Sequence, residues 1–165
     1  MALNIVLVEP EIPQNTGNIV RTCAATGAVL HLVGPLGFSI EDRYLKRAGL
    51  DYWNEATIKY YDGIEEFLKQ HGGGRLYFST TKAVHNYCDI EYEEDCFILF
   101  GKETAGLPEE LLKENQDTCI RIPMNEGIRS LNLSNSVAII LYEALRQKNF
   151  ENMKIEGKLV KYDWS

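Results

Sequence analysis

The sequence has no CxxC pair, no apolar run approaching the length of a membrane span, and no excess of positive charge. Each absence removes a class of protein. Four cysteines (Cys23, Cys88, Cys96, Cys119) stand far apart and three histidines (His31, His71, His85) are scattered. Zinc sites and disulfide frameworks need ligands at short, regular spacing, so reduced thiols and no metal are expected. A bilayer-spanning helix needs roughly 20 apolar residues, and no stretch reaches that. The opening MALNIVLVEP lacks a basic leader and a small-residue cleavage site, so it reads as a first strand and not a signal peptide. A cytoplasmic protein without a membrane partner is the expectation. Lys and Arg number 17 against 24 Asp and Glu, a net charge of -7. Bulk electrostatic binding of nucleic acid is thereby disfavoured. Any such binding has to draw on basic residues gathered locally.

The common nucleotide and hydrolase signatures are also missing. No G-x-G-x-x-G follows a strand, and Gly101-Lys102 runs into Glu103 where a P-loop needs Ser or Thr. There is no G-x-S-x-G elbow, HExxH or EF-hand loop.

What is present is a globular composition, 45% hydrophobic and 25% charged over 165 residues, suited to one domain spanning 1–165. Strand and helix signals alternate. Strands are expected at 3–8, 29–33, 57–61, 76–80, 96–100 and 118–122. Helices are expected from Asn15 as cap to Thr26 with Gly27 as stop, at 41–48, at 63–70, over PEELLKEN, and from the apolar stripe Val137, Ile140, Leu141, Ala144 and Leu145. This alternation points to an α/β fold, a mostly parallel sheet with helices on both faces. The tail 151–165 loses the helical period and is expected to be less ordered.

In open α/β sheets, ligands bind beyond the carboxyl ends of the strands. Four polar loops stand there: PQNTGNIVR, STTK, GKETAGLP and IPMNEGIRSLNLSNS. In the first, Asn15, Asn18 and Arg21 step by three. They read either as a cap and solvated surface, or as donors for a phosphate or ribose oxygen near a helix N-terminus. In the third, Gly101 suits close backbone approach to a ligand, Gly106 a tight turn, and Glu103 either the crevice or open surface. The last loop is the least ordinary. Ser130, Asn132, Ser134, Asn135 and Ser136 crowd a helix start that needs only one or two capping groups. The surplus suggests a polar ligand, with Leu131 and Leu133 as an apolar wall.

Three segments in order, NTGNIVRT, FGKETAGLPEELL and IPMNEGIRSLNLSNSVAIILYE, resemble the signature motifs of the SPOUT-class RNA ribose 2′-O-methyltransferases. VEPEIPQNTGNIVRTCAATG, RAGLDYW and the short length are similar to the subgroup that methylates cytidine or modified uridine at the wobble position 34 of tRNA. The likeness covers residues 2–148. It implies S-adenosylmethionine as methyl donor, a C-terminal deep trefoil knot and a homodimer. Ala24, Ala25 and Gly27, with the C-terminal helix, would pack across its two-fold axis.

Carried over by residue, the resemblance implies a cofactor pocket of Ser79, Thr80, Thr81, Phe100, Gly101, Glu103, Ile122, Met124, Ser130, Leu131 and Leu133. Where Ser79 stands the family usually has an apolar residue, so a backbone contact is implied there. Arg21 is the implied catalytic residue, with Asn15, Glu103, Ser130 and Asn132 positioning the ribose and the arginine. A guanidinium stays protonated, so Arg21 is read as orienting the hydroxyl or its phosphate and stabilising developing negative charge. Arg21, Arg43, Lys46, Arg47 and Arg129, joined by Lys82, form a candidate basic rim for tRNA. Tyr44, Tyr52 and Trp53 are either stacking platforms for anticodon bases or core residues. Competing readings are a methyltransferase of ribosomal RNA or another tRNA position, a non-catalytic RNA-binding module on this fold, and a nucleotide-binding α/β protein.

Overall fold

The computed structural model describes residues 2–165, except for the side chains at 46, 49, 50 and 51. Lys46 of the expected basic rim therefore lies outside the described residues. The order is β1 (Asn4–Val8), α1 (Pro13–Thr26), β2 (Val29–Val33), α2 (Arg43–Trp53), β3 (Thr57–Tyr61), α3 (Ile64–His71), β4 (Leu76–Ser79), β5 (His85–Asn86), β6 (Phe97–Gly101), α4 (Glu109–Glu114), β7 (Cys119–Arg121) and α5 (Leu133–Gln147). The sheet runs β3-β2-β1-β6-β4-β7-β5. All of its pairings are parallel.

Alternation along the strands builds two cores. Ile5 and Leu7 of β1 face one side with Leu30, Leu32, Ile98 and Phe100, beneath Ile19, Val20 and Cys23 of α1 and Val137, Ile140, Leu141 and Ala144 of α5. Val6 and Val8 face the other side with Val33, Phe78 and Leu99, beneath Phe67 of α3 and Leu112 of α4. Burial on both faces is why β1 and β6 read as unbroken apolar runs. No helix among the described residues is long and apolar enough to cross a membrane.

Several boundaries differ from the sequence expectation, each for a local reason. α1 begins at Pro13, and Asn15 is not its cap. Proline fits the first helical position because its missing N–H is an orphan there anyway. Ile12 occupies the cap position without a capping side chain, and a carboxylate from another loop meets its N–H. Gly27 ends the helix as expected, in the left-handed region at φ +76°, with its N–H on Cys23 O.

α2 runs on to Trp53, past the expected end at 48. The Asp42 carboxylate caps it, accepting from the N–H groups of Tyr44 at 2.8 Å and Leu45 at 3.4 Å. Trp53 packs against the α1 side of the core. The two-residue β5 was not expected, being too short to carry a period. The segment after Gln147 forms no helix or strand and is almost wholly exposed.

Candidate active site

Beyond the carboxyl ends of β1, β4 and β6 lies a cleft of about 600 Å³. The loops after these strands and the segment before α5 close around it. Of the expected cofactor residues, Ser79, Thr80, Thr81, Phe100, Gly101, Glu103, Ser130, Leu131 and Leu133 line it, together with Asn15, Asn132 and Arg129. Ile122 and Met124 are half-buried but are not part of its wall. Ile12, Lys102, Thr104 and Leu107 also line the cleft, and the sequence reading had not singled them out. Leu107 carried a usable signal: an apolar residue between a turn glycine and a helix-starting proline.

The serine- and asparagine-rich segment divides into two uses. Asn132 is the cap of α5; its Oδ1 accepts from Ser134 N–H at 2.9 Å and Ser134 Oγ–H at 2.6 Å. Ser136 Oγ donates to Asn132 O at 3.2 Å. Asn132 Nδ2 donates to Asn15 Oδ1 at 3.0 Å, tying the start of α5 to the first turn of α1. Ser130, exposed at the cleft wall, makes no hydrogen bond among the described residues. Local bonds around the helix start thus engage Asn132, Ser134 and Ser136, while Ser130 lines the cleft without such a bond.

Glu103 lies in the crevice and is also bonded to backbone donors of another loop. Its Oε2 accepts from Ile12 N–H at 2.6 Å and Glu11 N–H at 3.0 Å, and Oε1 from Glu11 N–H at 3.2 Å. A carboxylate is well placed at a helix N-terminus, where free N–H groups and the dipole favour negative charge. Glu103 therefore lines the cleft but is engaged with the loop preceding α1. Gly101 has a second constraint besides its place in the cleft wall. At φ +123°, a Cβ on it would stand 2.3 Å from Val8 O. Its backbone lines the cleft and at the same time packs tightly on the neighbouring strand.

The expected cations sit on several elements. Arg21 is exposed on α1, outside the cleft wall, with its guanidinium 4.8 Å from the centroid of Tyr52 on α2. Arg43 lies 4.8 Å over the ring of Tyr44 and donates to its hydroxyl at 3.0 Å. Arg47 is exposed. Lys82 is paired with Glu109 at 2.6 Å on the surface, a contact worth little in water. Burial raises the thiols of Cys23 and Cys96 to about 12, which leaves them protonated and unreactive. Among the described residues no cluster of His, Cys, Asp and Glu could hold a metal ion.

The wall combines hydroxyls and backbone of Ser79, Thr80, Thr81 and Ser130 with the apolar faces of Phe100, Leu107, Leu131 and Leu133. That mixture suits a ligand with a flat apolar ring and a polar sugar. The comparisons agree. A family model described as the SpoU rRNA Methylase family matches residues 2–142. A Listeria monocytogenes protein provisionally named a tRNA (cytidine(34)-2′-O)-methyltransferase is 56% identical over 153 residues, covering 91% of this chain and 90% of its own. A solved structure described as giving insight into 2-OH methylation of C/U34 on tRNA superposes with TM-score 0.85 at 41% identity, over 91% of this chain and 98% of that one. An AdoMet-bound rRNA methyltransferase from Sinorhizobium meliloti superposes with TM-score 0.78 at 30% identity, over 88% of this chain and 56% of that one.

Proposed function

The chain belongs to the SpoU rRNA Methylase family, and from that premise we propose that it transfers a methyl group from S-adenosylmethionine to the ribose 2′-hydroxyl of nucleotide 34 in tRNA. The observation that carries this reading is the cleft at the strand ends. There the three motifs converge, and the Asn15–Asn132 hydrogen bond joins the first to the third. The nucleotide and position come from relatives so named, which match nearly the whole chain.

The cleft fits the donor. Phe100, Leu107, Leu131 and Leu133 offer an apolar slot for the adenine, and the polar groups of 79–81 and Ser130 suit ribose and amino-acid parts. When bound, S-adenosylmethionine supplies an activated methyl on a positively charged sulfur, so no metal is required. The chain's task is alignment and charge. Asn132 and Ser130 stand at the wall where the acceptor ribose would enter. Arg21 would polarise the 2′-hydroxyl or hold the adjacent phosphate, its fork steadied by the Tyr52 ring. Because Arg21 lies outside the cleft wall, we assign its contact to RNA rather than to the donor. Arg43, Arg47 and Arg129 would hold the anticodon stem-loop.

We further propose that residues 1–165 act as one catalytic domain in the cytoplasm, that the segment between β6 and α5 threads the trefoil knot of SPOUT enzymes, and that the chain works as a homodimer. Ile139 and Tyr142 of α5 expose apolar surface, which supports pairing through this helix together with Ala24 and Ala25 of α1. Calorimetry with S-adenosylmethionine, followed by displacement with S-adenosylhomocysteine, tests the donor site. Saturable binding at micromolar to low millimolar donor is expected, and absence of heat at millimolar donor would refute it.

A further inference from the structure

We propose that Glu11 and Thr104, together with Glu103, form a reciprocal latch that sets the width of the donor cleft, and that Glu11 is a positioning residue for the reaction. The inference rests on the donor-site reading above. Parallel pairing of β1 with β6 ends at Val8 and Gly101. Beyond that point the two strands run into loops that both contribute to the cleft wall. Ile12 and Asn15 come from the first loop and the helix start that follows it, and residues 102–107 from the second.

Side chains take over where the ladder stops. Glu11 Oε1 accepts from Thr104 N–H at 3.0 Å and from Thr104 Oγ–H at 2.7 Å. In return, Glu103 accepts from Glu11 and Ile12 N–H groups. Two carboxylates from facing loops would repel if they met. Here each is turned onto the donors of the other's loop, so both charges draw the loops together.

The latch is backed from behind. Gly37 N–H donates to Pro10 O at 2.9 Å, and a Cβ on Gly37 would lie 2.8 Å from Glu11 Cα. The 9–12 loop is thus held from behind by the 34–37 turn and in front by its bonds to Glu103 and Thr104. The two Thr104 hydrogen bonds hold the Glu11 carboxyl below its ordinary range, so it remains an ionised acceptor at neutral pH. Glu11 itself is absent from the cleft wall. Its effect reaches the donor through Ile12, Asn15 and Thr104.

The test compares the full chain with Glu11→Ala, Thr104→Val and Thr104→Ser, measuring S-adenosylmethionine affinity, the KM and kcat split, and Tm. Thr104 is exposed, so its variants are expected to fold even if Glu11→Ala does not. A lost hydrogen bond to a charged group corresponds to about tenfold in affinity. The latch predicts donor Kd and KM raised about tenfold in Thr104→Val and more in Glu11→Ala, each by a larger factor than kcat falls. Thr104→Ser, which keeps the hydroxyl, restores affinity. Unaltered donor affinity in Thr104→Val and Glu11→Ala, or equal losses in Thr104→Val and Thr104→Ser, would overturn the latch while leaving the donor site standing. A parent chain that binds no donor would overturn the donor-site reading and the latch with it.

Discussion

One amide joins two helix starts: Asn132 caps α5 through its Oδ1 and donates from Nδ2 to Asn15 Oδ1 at 3.0 Å. Asn15 is buried in the first turn of α1. Serine caps a helix about as well as asparagine but is too short to reach Asn15. Asn132→Ser is therefore expected to keep the α5 cap and leave a buried amide oxygen unpaired, at a cost of about 1–3 kcal/mol. In urea denaturation, the double variant with Asn15→Ala should cost less than the two single losses added together, because the pair shares one bond.

Two glycines with positive φ should respond very differently to alanine. At Gly101 the new Cβ would stand 2.3 Å from Val8 O, with φ at +123°. Gly101→Ala should cost more than about 3 kcal/mol, because strand backbone must move. At Gly27 nothing lies within 4 Å of the added atom. Gly27→Ala should cost only about 1–2 kcal/mol, the left-handed penalty alone. Chemical denaturation of both variants measures the contrast.

Stability should fall as pH drops from 6.5 toward 4, and His31 supplies the cause. His31 is buried on β2. Its Nε2 faces Asn4 Oδ1 at 2.9 Å, and its Nδ1 faces the Tyr61 hydroxyl at 2.8 Å, which in turn meets His71 Nε2 at 2.9 Å. Asn4 Nδ2 already donates to Asp95 O, so Asn4 Oδ1 must accept from His31 Nε2–H. His31 Nδ1 then accepts from Tyr61. A second ring proton would face the Tyr61 O–H. Burial, with repulsion from His71 and Lys59, lowers the His31 pKa from 6.5 to about 4. Between these values the unfolded chain binds a proton that the native chain refuses, so native stability rises with pH across the window, at up to about 1.4 kcal/mol per unit. Burial and Lys59 also hold His71 below its ordinary value, and it acts in the same direction. His31→Gln should flatten the slope.

Arg21→Lys keeps the charge but loses the fork and the flat face that lies over Tyr52. Turnover on tRNA should drop by about 10²-fold. Donor affinity should hold, since Arg21 is not part of the cleft wall. Single-turnover assays and calorimetry on the same preparation separate the two effects.

The alternating architecture was legible because β1, β2 and β6 are bounded apolar runs and α5 carries a clean stripe. The strand order was not, since local pattern says nothing about which parallel strand lies beside which. β5 escaped because two residues carry no period. Asn15 was misread as a cap because sequence shows a capping type, not its burial or its partner 117 residues away. Glu103 reads from its loop as a crevice residue, but its donors at Glu11 and Ile12 were not legible because they belong to another loop. The segment 130–136 was legible through excess: more capping residues than one helix can use.

Methyl transfer to one nucleotide can be measured directly. Purified protein, labelled S-adenosylmethionine and tRNA from cells lacking the equivalent enzyme are combined, and the labelled nucleoside is identified and mapped. The predicted result is a 2′-O-methylated pyrimidine at position 34. Label at another position or on ribosomal RNA, or no label with donor demonstrably bound, would contradict it.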